Sequence, residues 1–296
     1  MSWTLRFAVN RADAGNLPDL FEFSGDPPTL NVEEPDPARP DDWVLTAYFA
    51  DAPTADMTAM ITGLFPSARG AEVAELADAD WTTLSQRDLA PVRAGRFIVH
   101  TADHADAVRS SDWAFRIEAG LAFGTGQHAT THGCLAALAR LGKARRYARI
   151  ADIGTGTGVL AMAAARANRA AQVIASDIDP IAIDVAAENL ALNHFAAGAC
   201  AGRIALAVAP GLSAPVLRGR APYDLVLANI LAAPLVALAR DLAGVIAPGG
   251  VLVMAGLLRH QQRGVANAYR RHGMVPAGAM NRRAEWPCLV LTKKRM

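Results

Sequence analysis

The amino-acid sequence predicts an α/β protein in two parts, a small α+β domain followed by a larger domain with a mostly parallel sheet. In residues 1–80 the predicted elements follow the order β-α-β-β-α-β. From Ala114 onward, apolar segments of strand length alternate with helical segments, as in a parallel sheet that helices cover on both faces. A glycine-rich turn joins one of these strands to a helix, which indicates a ligand-binding edge.

The first domain is predicted from the alternation of apolar residues in its strands and from a capping signal. Asp51 or Thr54 is expected to cap the second helix. The predicted strands are Trp3–Val9, Thr29–Glu33, Trp43–Phe49 and Ala71–Leu76, and the predicted helices are Ala12–Phe23 and Pro53–Phe65. This order of elements is that of a ferredoxin-like domain.

Residues 81–112 are predicted to link the two domains, and residues 113–296 to form the second. The linker is expected to contain a helix at Asp80–Leu89, a strand at Arg96–His100 and a polar connection at Thr101–Ser111. Strands of the second domain are predicted at Arg149–Ile153, Gln172–Ser176, Ile204–Val208, Asp224–Ala228 and Val251–Ala255, and helices at Gly133–Leu141 and near residues 157–168, 179–193, 231–246 and 259–271. Ligands of such sheets bind beyond the carboxyl ends of the strands.

Charge is distributed unevenly along the chain. Residues 1–80 hold 15 Asp and Glu against 4 Lys and Arg, a net charge of −11, whereas residues 81–296 hold 13 against 25, a net charge of +12. An acidic segment attracts a basic partner and repels a phosphate backbone, so direct nucleic-acid binding is not expected. The alternative is that the two halves only balance each other's charge.

Composition also indicates the compartment. No apolar run approaches the ~18–20 residues that span a bilayer, and the first seven residues lack the pattern of an export signal. The three cysteines, Cys134, Cys200 and Cys288, are far apart and show no CxxC spacing. We expect a cytoplasmic protein with no membrane segment, disulfide framework or zinc knuckle.

The glycine turn has the pattern G-x-G-x-G at Gly154, Gly156 and Gly158. Glycine lets a ligand approach the backbone, and the helix that follows offers free N–H groups. Val159 stands where the dinucleotide fingerprint would have its third glycine. The pattern therefore favours a ligand with an adenosine but no bridging phosphates, although a purely structural turn stays open.

Two further strands are predicted to end in polar residues at the same edge. Asp177 ends a strand 23 positions after Gly154, close to the spacing at which a carboxylate binds ribose hydroxyls. Asp179 is instead the expected N-cap of a helix that starts at Pro180. Asn229 ends the strand expected beside the glycine-loop strand, where it is either a ligand of the reactive end of the cofactor or a turn residue.

An upstream loop, Leu121–His132, leads into a helix. Thr130 and Thr131, at the end of this loop, either cap that helix or belong to a lid over the cofactor. His128 and His132 have the spacing of a zinc pair, but Ala129 replaces the glutamate of H-E-x-x-H, so no metal is predicted.

These motifs resemble those of class I S-adenosylmethionine methyltransferases, namely Asp-x-Gly-x-Gly-x-Gly from Asp152, the acidic end of the next strand and the asparagine of the fourth. A narrower resemblance is to the bacterial family of ribosomal protein L11 methyltransferases, the PrmA family. It is carried by Gly120-Leu121-Ala122-Phe123-Gly124-Thr125-Gly126 with His128, Thr130 and Thr131, and by Ala228-Asn229-Ile230-Leu231. Gln127 and Ala129 depart from the threonine and proline that are common in this family.

The resemblance covers the chain from about Trp113 to its end. It implies a seven-stranded, Rossmann-like class I methyltransferase domain, preceded by a ferredoxin-like domain that grips the ribosomal protein. It also implies S-adenosyl-L-methionine as the cofactor and amino groups of L11 as acceptors, and we expect a monomer. The expected cofactor contacts are Thr131, Gly154, Gly156, Gly158, Asp177, Asn229, Phe123 and Thr130.

A mechanism follows from the chemistry of the acceptor. Only a neutral amine attacks, and an apolar cleft lowers the pKa of a lysine from its usual ~10.4. We hypothesise that Asn229 Oδ1 and the Ile230 carbonyl accept hydrogen bonds from the amine and aim its lone pair, while water takes the proton. One alternative is a nucleobase or a small molecule as the acceptor, although Ile230-Leu231-Ala232 offers no aromatic ring on which a flipped base could stack. Another alternative is a non-catalytic adaptor for a basic partner.

Overall fold

The computed structural model describes residues 2–15, 28–33, 41–49, 51–76, 90–117, 129–212, 214–280 and 287–295. The chain divides into two compact units, Met1–Ser85 and Gln86–Met296. The predicted helix Asp80–Leu89 lies outside the described residues, as does most of the helix predicted at Ala12–Phe23.

The first unit contains one four-stranded antiparallel sheet. Its elements are β1 (Ser2–Val9), α1 (Arg11–Ala14), β2 (Thr29–Glu33), β3 (Trp43–Phe49), α2 (Ala55–Gly63) and β4 (Arg69–Leu76). The strand order β2-β3-β1-β4, with every neighbouring pair antiparallel, confirms the ferredoxin-like arrangement. Thr54, rather than Asp51, caps α2, because its hydroxyl oxygen accepts the Met57 N–H at 3.2 Å.

The two faces of this sheet differ in polarity. On one face, Leu5 and Phe7 of β1 form a core with Leu45 of β3 and Ile61 of α2. Strand alternation turns the neighbouring residues to the opposite face. There a row of paired residues crosses all four strands, from Asn31 through Thr46 and Arg6 to Glu72.

Residues 92–116, which include most of the expected linker, form a small sheet that belongs to the second unit. Its strands are β5 (Val92–Ala94), β6 (Phe97–His100) and β7 (Trp113–Arg116), in that spatial order, and a 3-10 helix, Ala102–Ala107, stands where a polar connection was expected. Phe97 and Phe115 are buried in the same hydrophobic core as Ile150 and Val173 of the large sheet. The Asn193 side chain also holds the backbone of Arg116, with both hydrogen bonds at 2.7 Å.

The second unit is built on a seven-stranded sheet in the order β10-β9-β8-β11-β12-β14-β13. The five strands predicted from the sequence are parallel, and β14 and β13 add to one side as an antiparallel pair. The strands are β8 (Arg149–Ile153), β9 (Gln172–Asp177), β10 (Ile204–Val208), β11 (Tyr223–Asn229), β12 (Ile246–Ala255), β13 (Met274–Met280) and β14 (Cys288–Lys293).

Helices cover this sheet on both faces, as the apolar strands predict. The helices are α3 (Ala129–Ala144), α4 (Val159–Ala167), α5 (Pro180–Leu192), α6 (Pro215–Arg218), α7 (Ala232–Ala237), α8 (Ala239–Val245) and α9 (Gln262–Arg270). Ile150 belongs to the core with α3 and α4, whereas Ala151 and Ile153 belong to the core with α7, α8 and α9. The single helix predicted over residues 231–246 is two helices that meet at Leu238.

The parallel strands bring their carboxyl ends to one edge. Ile153 of β8 lies between Ser176 of β9 and Ala228 of β11, and Asn229 is paired with Ala255 of β12. The glycine loop, Asp177 and Asn229 are therefore neighbours. In the part of the chain that the structure describes, no helix combines the length and apolarity needed to cross a membrane.

Candidate active site

The glycine loop between β8 and α4 needs its glycines for conformation and for space. Gly154, Gly156 and Gly158 have φ values of +70°, +52° and +80°, which side chains disfavour. A Cβ on Gly154 would lie 2.2 Å from Cγ2 of Ile230, and one on Gly158 would lie 3.3 Å from Cβ of Ala186. No larger residue fits at Gly154 without moving Ile230.

Hydrogen bonds from neighbouring elements hold this loop in place. The N–H groups of Gly154 and Thr155 donate to the Ser176 carbonyl at 2.8 and 3.0 Å. The Gly156 N–H donates to Asp177 Oδ2 at 2.9 Å, and Asn189 Nδ2 donates to the Thr157 carbonyl at 3.0 Å. These hydrogen bonds fix the shape of the loop, which favours pre-organised binding.

Asp177 and Asp179 have the different environments that the sequence indicates. Asp177 is half-buried at the end of β9, and its Oδ1 accepts the Asp179 N–H at 3.2 Å. Asp179 caps α5, because its Oδ1 accepts the Ile181 N–H at 2.9 Å and Pro180 is the first helical residue. The capping prediction is confirmed, and Asp177 remains the candidate for ribose hydroxyls.

Asn229 and Thr131 meet at the end of β11. Asn229 Nδ2 donates to Thr131 Oγ1 at 3.4 Å, and Thr131 is buried in the first turn of α3 beside the buried Thr130. No described residue donates to Asn229 Oδ1. The amide is therefore oriented through its nitrogen, and its oxygen is left to accept a hydrogen bond from a ligand.

Gly256, which sequence reasoning missed, makes room for Ile230. A Cβ on Gly256 would lie 2.4 Å from the Ile230 carbonyl oxygen, and the backbone has a φ of +83°. Any side chain here would press on the carbonyl that we expect to face the acceptor amine. The available signal was a glycine directly after the last residue of the predicted strand Val251–Ala255.

The loop before α3 is described only from residue 129 onward. Phe123 and His128 lie outside the described residues, and His132 is exposed on α3. Across the described residues, no group of three or more His, Cys, Asp or Glu side chains could hold a metal ion.

Asp152, the first residue of the Asp-x-Gly-x-Gly-x-Gly motif, was not predicted to be a site residue. It lies fully buried beneath the glycine loop. Its Oδ2 accepts the Thr155 hydroxyl at 2.7 Å, while its Oδ1 has no hydrogen-bond partner among the described residues. Burial raises the pKa of this carboxyl to about 7, against the lowering effect of the Thr155 hydroxyl and the Ala161 N–H. A carboxylate inside an otherwise apolar strand was the signal that could have revealed it.

Together these groups suit a nucleoside with a cationic centre. The N-terminus of α4 has no side-chain cap at Gly158, the left-handed glycines leave the backbone accessible, and a buried carboxyl with an unpartnered oxygen lies below. S-adenosylmethionine has an adenosine, a sulfonium and no phosphate, so the residues present fit it. Fold and site define a class I S-adenosylmethionine-dependent methyltransferase.

Comparison with known proteins gives the family. The family model described as ribosomal protein L11 methyltransferase (PrmA) matches residues 24–294. A relative of that name from Bradyrhizobium diazoefficiens is 43% identical over 283 residues, covering 94% of this chain and 91% of the relative. Another, from Agrobacterium fabrum, is 41% identical over 261 residues, covering 86% and 87%. The chain belongs to the ribosomal protein L11 methyltransferase (PrmA) family.

A solved structure is also similar to this chain. The ribosomal protein L11 methylase from Lactobacillus delbrueckii subsp. bulgaricus has a TM-score of 0.59 and 26% sequence identity. The similarity covers 69% of this chain and 99% of the other. Over that part of the chain, the fold is similar to that of a solved ribosomal protein L11 methylase.

Proposed function

We propose that this protein transfers methyl groups from S-adenosylmethionine to amino groups of ribosomal protein L11, on lysine side chains, the N-terminal α-amine or both. The observation that carries the proposal is the position of the Asn229 amide, which Thr131 orients at the same sheet edge as the glycine loop. The names of the relatives from Bradyrhizobium and Agrobacterium support the choice of acceptor.

In this proposal the cofactor lies over the glycine loop. Gly154, Gly156 and Gly158 allow its close approach. Asp177 accepts hydrogen bonds from the ribose hydroxyls, since its carboxylate has acceptor capacity beyond the two N–H groups that it already binds. Thr131, Asn229, Thr130 and Phe123 complete the proposed contacts. When bound, the cofactor supplies a methyl group that its sulfonium activates.

The acceptor amine is positioned by Asn229 and Ile230. The Asn229 Oδ1 and the Ile230 carbonyl accept the amine hydrogens, which turns the nitrogen lone pair away from the protein and toward the methyl group. Loss of water on entry into the cleft favours the neutral form of the amine, and the proton leaves to water. Gly256 serves this arrangement because any side chain at this position would press on the Ile230 carbonyl.

The first unit is proposed to recognise the protein substrate. Residues 1–80 carry a net charge of −11, and ribosomal proteins are typically basic. Glu33 and Glu72 are exposed at the two edges of the same sheet face, beside Val44 and Arg6 respectively. We expect the enzyme to act in the cytoplasm as a monomer.

The proposal is tested by supplying S-adenosylmethionine with a labelled methyl group to the full-length protein, together with purified L11 and ribosomal RNA. We expect label on L11 amino groups, located by peptide mass spectrometry. Asn229→Ala should lower kcat by about 100-fold or more, because the amine is no longer aimed. Asn267→Ala, an exposed asparagine of α9, is the matched control.

Two results would contradict the proposal. Label on RNA alone would exclude a protein acceptor. An Asn229→Ala variant that binds the cofactor and methylates L11 at the wild-type rate would remove Asn229 from the mechanism.

A further inference from the structure

Asp152 occupies a position where a carboxyl group is costly. It lies in β8 between Ala151 and Ile153, which face the opposite core, so its side chain points with Ile150 into the core that contains α3 and α4. It is 0% exposed. A carboxylate in such a place destabilises the fold unless charge or hydrogen bonds compensate it.

The compensation inside the protein is incomplete. The Thr155 hydroxyl satisfies Oδ2, and the Ala161 N–H of the first turn of α4 lies near enough to favour the charged form. Oδ1 accepts no hydrogen bond from a described residue. Buried polar atoms of native proteins are nearly always paired, so an unpaired one indicates a function or a missing partner.

The titratable groups around Asp152 do not supply a positive charge. Asp177, at the end of β9, disfavours the charged form of Asp152. From α3 the Cys134 thiol faces it, and that thiol has a raised pKa because of its hydrogen bond with Cys288 and its burial. Among the described residues, no lysine, arginine or histidine forms an ion pair with Asp152. Within the described part of the chain, a charged Asp152 therefore has no cationic partner.

We propose that Asp152 is the counter-charge of the bound cofactor and makes the site prefer S-adenosylmethionine, with its sulfonium, over S-adenosylhomocysteine, whose sulfur is neutral. The inference rests on the proposed cofactor site above the glycine loop. Asp152 acts through charge from beneath that loop, so it is a positioning and selectivity residue. The preference also helps turnover. The attraction between the Asp152 carboxylate and the sulfonium disappears once the methyl group has been transferred, so the product S-adenosylhomocysteine is held less tightly.

The binding step has a defined proton balance. In the ligand-free protein near neutral pH, part of the Asp152 population is protonated, since its pKa is about 7. The cationic ligand favours the carboxylate, so the O–H bond of Asp152 breaks and the proton passes to solvent. Binding of S-adenosylmethionine therefore releases a fraction of a proton that binding of S-adenosylhomocysteine does not release.

Isothermal titration of both ligands into the full-length protein tests the inference. In the wild type, we expect the affinity for S-adenosylmethionine relative to S-adenosylhomocysteine to rise between about pH 6 and about pH 8. In Asp152→Asn, the ratio of the two affinities should fall at least about fivefold and should no longer depend on pH. The affinity for S-adenosylhomocysteine itself should stay within about twofold of wild type. Asp184→Asn, which removes an exposed carboxylate of the second unit, should keep the preference.

Several results would overturn the inference. Asp152→Asn could weaken both ligands equally, which is the signature of a purely structural role. The wild type could release the same number of protons with both ligands, a measurement that needs no variant and uses buffers of different ionisation enthalpy. Failure of the wild type to bind either ligand would instead refute the cofactor site itself, and this inference with it.

Discussion

The two units of the chain place their polar residues in different ways. In the first unit, Glu33 and Glu72 are exposed on a sheet face and belong to a large excess of acidic residues. In the second unit, Asp152, Thr131 and Asn189 are buried at or beside one sheet edge, in hydrogen bonds with defined partners. The first arrangement depends on the sum of many charges, whereas the second depends on the positions of single atoms. Recognition by the first should therefore tolerate single substitutions that chemistry in the second does not.

Gly154→Ala should have the largest effect of any single substitution. The new Cβ would lie 2.2 Å from Ile230 Cγ2 on a backbone with a φ of +70°, so the loop and Ile230 have to separate. We expect the affinity for S-adenosylmethionine to fall by about 100-fold or more, measured by isothermal titration. Gly264→Ala, with no atom within 4 Å of the added Cβ, is the control. Wild-type cofactor affinity in Gly154→Ala would show that the loop does not hold the ligand.

Gly256→Ala should separate methyl transfer from cofactor binding within the second unit. The added Cβ would lie 2.4 Å from the Ile230 carbonyl oxygen, which we expect to receive the amine. We predict a fall in kcat of about 30- to 100-fold, with a much smaller change in cofactor affinity. Steady-state kinetics and titration with the cofactor measure the two quantities. A variant with unchanged kcat would exclude the Ile230 carbonyl as an acceptor.

The double substitution Glu33→Lys and Glu72→Lys should affect only recognition. It changes the net charge of residues 1–80 from −11 to −7, since each reversal adds two. We expect KM for L11 to rise about tenfold and its dependence on salt to weaken, with kcat unchanged. Glu188→Lys and Asp241→Lys make the same change on exposed residues of the second unit and should leave KM near wild type. Equal effects of the two pairs would mean that only total charge matters.

The last prediction concerns the pH dependence of stability that Asp152 contributes, which leaves the comparison of the two units unchanged. Its pKa is about 7 in the folded protein against an ordinary 3.8, so the native state holds the proton more tightly than the unfolded state. The stability from this group is therefore complete below about pH 4 and decreases as the pH rises toward about 7. Asp152→Asn should flatten this part of the Tm profile of the ligand-free protein. An unchanged profile would contradict the raised pKa.

The parallel strands and the polar residues at their ends could be predicted because both follow from local pattern. Asp177 and Asn229 come directly after buried apolar runs, and Asp179 precedes a proline in the first helical position. The family resemblance then indicated the ligand. These signals are all contained in a few consecutive residues.

What the sequence did not reveal depends on contacts between distant segments. The β13–β14 pair was missed because Pro276 and Gly278 weaken the strand pattern of β13, and pairing with β14 overrides this. The strands of residues 92–116 are only three or four residues long. Gly256 matters because β11 and β12 end together, and Asp152 matters because it is buried on the sheet face that α3 and α4 cover. The boundaries 81 and 113 remain predictions, although residues 92–116 pack with the second unit.

The division of labour between the two units is tested most directly by measuring two dissociation constants in two full-length variants. The ligands are S-adenosylmethionine and L11, and the variants are Gly154→Ala and the pair Glu33→Lys with Glu72→Lys. We predict that Gly154→Ala loses affinity for the cofactor alone and that the charge-reversed variant loses affinity for L11 alone. Wild-type affinity for L11 in the charge-reversed variant, or its loss in Gly154→Ala, would contradict the account.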